Sequence, residues 1–427
     1  MTIKNILTAI VLLFHSFVYA QKTTTIINET DVSRIINMLA SDEMKGRKIY
    51  SPEIDRAASF IADEFRSAGL KPLSGDSFLQ SFSMISATGQ TLTAKLSGKE
   101  LDPTDVVLLT SKPSLTIETA KDYRVEKITT SDNLFSKAMQ YSKSKTNTIV
   151  LVDKSFEDRF SRLSFLKRNF FKTEANIVFV LGDINPNDLS ITATHRITEN
   201  KLTNVVGILP GKKLKNEYVV FSGHYDHIGI GKPENGDSIY NGANDDASGI
   251  TGVIELAKYF SAKGKNKRSI IFVAFTAEES GGYGSQYFSE QMDPSAVIAL
   301  FNLEMIGTDS KWGKNSAYIT GFEKSSMGEI LQKNLTGSGF SFYPDPYPDQ
   351  QLFYRSDNAT LARLGVPAHT ISTSKMDSEP NYHRVSDEVH TLDLKNMTEM
   401  IKSIAISAQS IIDGKDTPTR VDVNALR

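Results

Sequence analysis

Short apolar runs in the C-terminal half of the chain are each followed closely by a histidine or an acidic residue. Glu217 to Ser222 and Ser269 to Thr276 are β-branched runs of the kind found in buried parallel strands. His224 comes just after the first run, and Glu278 and Glu279 come just after the second. Because open α/β sheets bind ligands beyond the carboxyl ends of their strands, these side chains are predicted to meet at one site.

The chemistry of these side chains is that of a metal site. Imidazole nitrogens and carboxylate oxygens bind zinc, and two zinc ions about 3.5–4 Å apart need a carboxylate that bridges them. The chain has no cysteine, so thiolate sites are excluded. Five stretches, FSGHYDH (221–227), NGANDDASG (241–249), FTAEESGG (275–282), NLEMIG (302–307) and NYHRVSDE (381–388), supply the candidate ligands His224, Asp245, Glu279, Glu304 and His383.

The residues next to these ligands indicate supporting roles. Within the adjacent pair, Glu279 can bind metal while Glu278 stays unligated and takes the proton of a metal-bound water. Asp226, two residues after His224, can accept the other ring N–H of that imidazole or brace the site from outside.

Two further residues compete with the predicted ligands. Asp246 is the main alternative to Asp245 as the bridging carboxylate, although we expect it to cap the helix that begins near Ala247. His227 follows HYD closely enough to compete as a ligand, although a supporting or packing role is the simpler interpretation. The isolated histidines at 195, 369 and 390 are expected to be structural, since metal ligands normally occur in spaced clusters.

The five stretches resemble the motifs of peptidase family M28, the co-catalytic zinc exopeptidases that include bacterial aminopeptidases and glutamate carboxypeptidase. Members of this family share HxD, NDD or NDN, EE, (D/E)M(I/V)G and a late YH, and all five occur here in that order. The resemblance extends over about residues 200 to 412, with a shorter match at 42–72.

The resemblance implies a role for each matching residue. It implies two Zn²⁺ ions per chain, one bound by His224, Asp245 and Glu304, the other by Asp245, Glu279 and His383. Asp245 would bridge the ions, Glu278 would be the general base and later the acid, and Tyr382 would hydrogen-bond the tetrahedral oxyanion.

The chain departs from the family pattern at two places. Glu304 stands where aminopeptidases of this family often carry Asp, and the extra methylene changes the reach of the carboxylate. Ser356, Asp357 and Asn358 resemble an SDH element in which Asn replaces His, so any role of that histidine is lost.

The predicted function is that of a zinc-dependent aminopeptidase, which hydrolyses N-terminal residues of peptides through a metal-bridging water activated by Glu278. A carboxypeptidase of the same fold and a glutaminyl-cyclase-like transferase with one zinc are alternatives. An inactive, receptor-like binding module is a further one. The aromatic, proline-containing segment from Ser341 to Tyr354 is predicted to be a loop that lines the pocket or covers the core. Arg355 could meet a substrate carboxylate or pair with a nearby Asp.

The expected fold is α/β, a three-layer αβα sandwich with a mixed, mainly parallel sheet, as in zinc-dependent exopeptidases, plus an inserted accessory domain. Residues 21–87 and 198–415 are assigned to the catalytic domain, and 416–427 to a C-terminal tail. Residues 88–197 match the catalytic pattern poorly and are assigned to the accessory domain, whose fold is left open.

The N-terminus indicates export. Lys4 precedes an apolar run from Ile6 to Val18, and polar Gln21 follows Ala20, as in a signal peptide (1–20) of a periplasmic or secreted protein. The run is too short for a membrane span of about 20 residues, so stable membrane insertion is not expected. A net charge of −2 offers no basic excess for nucleic acid. Peptides are the expected partners, and nothing in the sequence indicates an oligomeric state.

Overall fold

The computed structural model of the protein describes residues 26–426, so the predicted signal peptide lies outside the described residues. In chain order the helices are α1 (Glu29–Leu39), α2 (Pro52–Ser67), α3 (Leu134–Tyr141), α4 (Glu157–Phe160), α5 (Gly249–Lys263), α6 (Tyr283–Gln291), α7 (Met327–Asn334), α8 (Asn358–Ala362), α9 (Leu394–Ser407) and α10 (Gln409–Ile412). None of the helices between residues 26 and 426 is long and apolar enough to span a membrane.

The strands include several that are very short and two that are long. In chain order they are β1 (Lys71–Pro72), β2 (Leu79–Leu96), β3 (Lys99–Glu100), β4 (Val106–Leu109), β5 (Ser114–Ile117), β6 (Arg124–Ile128), β7 (Thr148–Val152), β8 (Phe170–Phe171), β9 (Ile177–Leu181), β10 (Leu189–Leu209), β11 (Leu214–His224), β12 (Gly229–Glu234), β13 (Asp237–Tyr240), β14 (Arg268–Phe275), β15 (Val297–Leu303), β16 (Ser316–Ile319), β17 (Ser341–Pro344) and β18 (Ala368–Ser372).

The chain divides into two compact units. The first comprises the residues up to Gln80 and from Thr203 onward, and the second comprises Ser81–Leu202. The sequence prediction placed the accessory domain at 88–197, a few residues inside these limits. All predicted site residues belong to the first unit.

The first unit contains a mixed sheet in the order β17, β16, β18, β15, β11, β14, β10. The central strand β11 pairs in parallel with β14 and β15, and β15 pairs in parallel with β18. Antiparallel pairs occur between β16 and β18 and between β10 and β14. The sheet is therefore mixed and parallel at its centre, which confirms the predicted fold class.

Alternate residues of β11 face opposite sides of the sheet. Val219 and Phe221 pack in a core with α1, α2, α5, α7 and α9, whereas Val220 packs in a second core with α6 and α8. Helices therefore cover both faces, and the unit has three layers. The central helix α5 ends where Gly264 adopts a left-handed backbone (φ 58°) and its N–H bonds to the carbonyl of Phe260.

Helix α1 is capped by Asn28, whose side chain accepts the backbone N–H of Asp31. One local prediction was wrong. The segment from Ser341 to Tyr354 does not begin as a loop, because Ser341–Pro344 forms β17 and pairs in parallel with β16. Proline is tolerated there since it occupies the last position of an edge strand.

The second unit contains a four-stranded sheet in the order β4, β9, β7, β6. Strands β6, β7 and β9 are parallel to one another, and β4 is antiparallel to β9. Val150 and Val152 of β7 pack against residues of α3 and α4, and Ile149 and Leu151 pack on the opposite face. This unit therefore has its own apolar cores.

Candidate metal centre

The carboxyl ends of three adjacent strands carry the first site residues. His224 is the last residue of β11, Glu278 and Glu279 lie in the turn after β14, and Glu304 directly follows β15. Because β11 pairs in parallel with both β14 and β15, these three strand ends lie side by side. The sheet therefore brings the side chains together in the way that the sequence predicts.

The first ligand set consists of His224, Asp245 and Glu304. Nε2 of His224 lies 3.2 Å from Oδ1 of Asp245 and 3.2 Å from Oε1 of Glu304. Asp245 reaches this position from an irregular turn that precedes α5. The three residues can each direct one atom at a common metal ion.

The second ligand set uses the other carboxylate oxygen of Asp245. Nε2 of His383 lies 3.2 Å from Oδ2 of Asp245 and 3.2 Å from Oε1 of Glu279. Nδ1 of His227 lies 2.9 Å from the same Glu279 oxygen and 3.9 Å from Oδ2 of Asp245. Asp245 thus directs one oxygen at each set, and the second set has two candidate imidazoles.

Several of these ligand atoms lack hydrogen-bond partners. Oδ2 of Asp245, Oε1 of Glu279 and both ring nitrogens of His227 are buried and make no hydrogen bond with any described residue. Nδ1 of His227 is only 2.9 Å from the glutamate oxygen, but the two groups are not oriented to bond. Buried polar atoms are rarely left unpaired, and a divalent metal ion satisfies lone pairs directed at one point. The residues therefore fit a metal.

Burial and the neighbouring charges have opposing effects on the pKa values of the ligand side chains. Burial raises the pKa of Asp245, but the nearby imidazoles of His224 and His383 outweigh burial and hold this pKa far below its usual range. For Glu279, burial and Asp245 raise the pKa, whereas His227 and His383 lower it to about 2. The nearby carboxylates of Asp245 and Glu279 raise the pKa of His383 to about 10. Both carboxylates are therefore ionised at neutral pH, as metal ligands must be.

Glu278 differs from its neighbour in its surroundings. Burial raises its pKa well above the usual range, His224 opposes this, and the nearby carboxylate of Glu304 adds to it. The side chain belongs to neither ligand set but lines the same cavity. A raised pKa brings a carboxylate closer to the pH at which a general base is most effective.

Asp226 braces the turn that carries the two glutamates. Its Oδ1 accepts the backbone N–H of Glu278 at 3.0 Å, and its Oδ2 accepts that of Glu279 at 3.3 Å. Nδ1 of His224 donates to the backbone carbonyl of Asp226 at 3.1 Å, not to the carboxylate. This bond leaves Nε2 of His224 facing the ligand set.

Asp246 faces away from the imidazoles. Its carboxylate accepts the backbone N–H groups of His224, Gly249 and Met305 at 3.0–3.1 Å. The Gly249 bond satisfies the first turn of α5, which is the capping role expected of this residue. The shared carboxylate is that of Asp245.

Asp387 was missed by the sequence analysis. Its carboxylate accepts the backbone N–H groups of Asn244 and Asp245 at 2.8 and 3.0 Å, and it is buried. The available signal was its position four residues after His383, in the same polar stretch. Asp387 fixes the backbone that presents the shared carboxylate.

Glu304 is held by a chain of partly buried hydrogen bonds. Its Oε2 accepts the hydroxyl of Ser356 at 2.6 Å, and the Ser356 oxygen accepts Nδ2 of Asn302 at 2.7 Å. Asn358, which replaces the family histidine, accepts the hydroxyl of Thr370 and donates to the carbonyl of Phe353. The extra methylene of Glu304 thus lets one oxygen face His224 while the other bonds to the SDN element.

A cavity opens at the ligand sets. Its acidic end contains Asp245, Glu278, Glu279 and Glu304, and its apolar lining includes Met305, Tyr318, Leu352 and Met376. Tyr382 lies at the wall, with its ring stacked on that of His383 at 3.9 Å between centroids. Arg355 also lines the cavity and makes no ion pair with any carboxylate between residues 26 and 426. Of the predicted pocket loop, Leu352 reaches the cavity.

These features fit a metal centre, and the comparison with known families points to the same chemistry. Residues 204–407 match the model of peptidase family M28. The match confirms the resemblance that the five motifs carry, over residues 204–407.

Relatives and solved structures extend this result. A probable zinc metalloprotease of Pyrenophora teres f. teres (strain 0-1) is 37% identical over 52% of this chain and 51% of its own length. Leucine aminopeptidase 1 of Ajellomyces capsulatus (strain H88) is 29% identical over 47% of this chain and 53% of its own length. The chain thus spans about half the length of these curated relatives. The structure of BSAP, a zinc aminopeptidase from Bacillus subtilis, superposes with a TM-score of 0.55 and 16% identity, covering 94% of this chain and 97% of that one, which shows a shared fold.

Proposed function

We propose that the protein is an aminopeptidase with two zinc ions. The proposal rests on one observation: the two carboxylate oxygens of Asp245 face two separate ligand sets. One zinc is assigned to His224, Asp245 and Glu304, and the other to Asp245, Glu279 and His383. His383 is preferred to His227 because its Nε2 is equally close to both carboxylates, whereas His227 is 3.9 Å from Asp245.

Residues of the chain supply the proton transfers. Zinc, when bound, lowers the pKa of a coordinated water and polarises a carbonyl oxygen. Glu278 takes the proton of the attacking water and later gives it to the leaving amine. Burial, with the charges of Asp245 and Glu279, raises the pKa of Tyr382, so its phenol keeps its proton and can donate to the oxyanion of the tetrahedral intermediate.

The cavity favours the amino end of a peptide with an apolar first residue. Four carboxylates at its inner end suit a positively charged α-amine, and only one arginine lines the described wall. Met305, Leu352 and Met376 offer apolar contacts for a side chain. The names of the relatives, leucine aminopeptidase and zinc aminopeptidase, support this choice.

The test compares free-amine and N-blocked chromogenic substrates on zinc-loaded protein. Hydrolysis of the free-amine substrates alone, abolished by chelation, is expected. Glu278→Gln should lower kcat by about 10²–10⁴-fold with two zinc ions still bound, because only the proton acceptor is removed. Glu329→Gln, at an exposed position on α7, is the matched control, and its kcat and zinc content should equal those of the wild type.

Other outcomes would overturn the proposal or part of it. Cleavage of N-blocked peptides with a free carboxylate would show a carboxypeptidase. One zinc per chain with cyclisation of N-terminal glutamine would show a cyclase-like transferase. No turnover on any peptide would leave a binding module, and full activity in Glu278→Gln would remove this residue as the base.

We also propose that the chain is exported and that Ser81–Leu202 is an accessory domain inserted into the catalytic one. The signal-like composition of residues 1–20 supports export, and N-terminal sequencing of the mature protein should begin at Gln21. The departure of the chain from the first unit at Gln80 and its return at Thr203 support an insertion.

A further inference from the structure

Arg47 is buried completely, yet no carboxylate between residues 26 and 426 forms an ion pair with it. Its guanidinium donates to four backbone carbonyls. Nε bonds to Tyr225 at 2.7 Å, Nη1 to Leu39 and Asn241 at 2.7 Å each, and Nη2 to Gly242 at 2.9 Å. A buried guanidinium is ordinarily matched by a carboxylate, so this use of its donors on backbone oxygens needs an explanation.

The carbonyls belong to the two loops that carry metal ligands. Tyr225 follows His224, and Gly242 lies three residues before Asp245. The backbone carbonyl of Arg47 also accepts the N–H of His227 at 3.3 Å. One residue from the N-terminal part of the chain therefore joins the loop after β11 to the loop before α5.

The backbone around Arg47 has an uncommon conformation. Lys45, Gly46 and Arg47 have φ values of 45°, 64° and 47°, all in the left-handed region that non-glycine residues seldom occupy. A side chain at Gly46 would begin 2.3 Å from the carbonyl oxygen of Tyr240, so only glycine permits the approach. Such unfavourable conformations persist where surrounding contacts hold them, and they concentrate at functional sites.

The charge of Arg47 also has neighbours at longer range. Burial lowers the pKa of the guanidinium, and the carboxylates of Asp387, Asp226, Asp245 and Asp246 oppose that effect only in part. Two of these carboxylates, Asp226 and Asp387, hold the backbone of the ligand loops. Arg47 thus places a positive charge near a group of buried carboxylates.

We propose that Arg47 is a positioning residue for the metal centre, which fixes the His224 loop against the Asp245 loop and offsets the charge of the carboxylates beneath the ligands. The proposal deepens the proposed function, since it assumes that this centre is the catalytic one. The segment from Ala40 to Arg47 shares the role, because Nδ2 of Asn241 donates to Ala40 and to Asp42.

The test compares Arg47→Lys with Arg268→Lys. Lysine keeps the charge but cannot reproduce the fork of donors. Arg268 is the matched control, because it is also buried and donates to the backbone carbonyls of Ile411 and Asp416, but at the opposite end of β14 from the glutamates. Zinc affinity is measured by competition with a chromophoric chelator, together with Tm, kcat and KM.

Arg47→Lys should lose about 10–100-fold in zinc affinity, the range found when residues that support metal ligands are changed. Its kcat should fall more than its KM changes, because the ligand spacing is altered and the apolar pocket is not. Arg268→Lys should lose Tm without losing zinc affinity. Wild-type zinc affinity in Arg47→Lys, or an equal loss in Arg268→Lys at an equal loss of Tm, would overturn the proposal.

A second variant decides the matter if Arg47→Lys does not fold. Asp42 is exposed, so Asp42→Ala should fold while removing one hydrogen bond to Asn241. Zinc affinity should fall by roughly two- to tenfold, the effect of one such bond, and unchanged affinity would overturn the proposal. Because zinc binding is read without substrate, a wild type that binds two zinc ions but cleaves no peptide would reject the proposed function and still test Arg47.

Discussion

The two ligand sets share one carboxylate but are built in different ways. In the first, His224 and Glu304 come from the ends of neighbouring strands, and the His224 side chain is 1% exposed. In the second, His383 comes from the long segment after β18, has a left-handed backbone (φ 57°), and its side chain is 38% exposed. The sheet therefore fixes the first set, whereas loop packing fixes part of the second, and we expect tighter zinc binding in the first.

The largest effect is expected where the two sets meet. Asp245→Asn should remove both zinc ions, because the amide supplies only one oxygen and no charge. Activity should fall by more than about 10³-fold, since the loss of the metals removes several kcal/mol of transition-state stabilisation. Zinc analysis and kcat/KM check this, with Asp349→Asn on the surface as control. Retention of two zinc ions would show that Asp245 is not the shared ligand.

The next prediction separates the sets from each other. His224→Ala should remove the tightly bound zinc, and His383→Ala the weakly bound one, each with about a 10²-fold or greater loss of kcat/KM. Stepwise removal of zinc by a chelator should therefore show two phases in the wild type and one in each variant. Equal affinities in the two single-site variants would contradict the distinction between a sheet-held and a loop-held set.

A smaller effect is expected at His227. If it supports the second set without ligating, His227→Ala should keep two zinc ions and lower their affinity by about tenfold. The comparison with His383→Ala under the same dialysis conditions is decisive. Loss of a zinc ion in His227→Ala, together with its retention in His383→Ala, would exchange the two roles.

The smallest effect concerns pH in zinc-free protein. The nearby carboxylates of Asp245 and Glu279 raise the pKa of His383 in the folded chain from 6.5 to about 10. A raised folded pKa means that the stabilisation is complete below the unfolded value and is lost as pH rises through the folded one. The Tm of chelated protein should therefore fall by a few degrees between pH 6.5 and 10. In His383→Ala this fall should be smaller, and an equal fall would contradict the assignment.

The contrast between residues at strand ends and residues held by loop packing also explains what could be predicted from sequence. His224, Glu279 and Glu304 were found because each directly follows an apolar run that has few other interpretations than a buried strand. A helix beginning near Ala247 was predicted as well, and α5 begins at Gly249. In each case, the local pattern and the tertiary position carry the same information.

Other residues act through contacts that no local pattern encodes. Arg47 and Asp387 bind backbone groups far away in the chain, and backbone carbonyls have no sequence signature. His227 was given a secondary role because HxD explained the stretch without it. Strand β17 was taken for a loop because the segment from Ser341 to Tyr354 is rich in proline and aromatic residues, although an edge strand tolerates the one proline of β17, Pro344.

The contact between Asp387 and the Asp245 loop has a consequence for the order of assembly. The loops of the metal centre are held by Arg47 and by Asp387, and the whole second unit, Ser81–Leu202, lies between these two residues in the sequence. A nascent chain that has passed the first four motifs still lacks both His383 and the residue that orients the shared carboxylate. The centre is therefore completed only after Asp387 has been synthesised, so that a nascent chain that ends before this residue does not carry the assembled site.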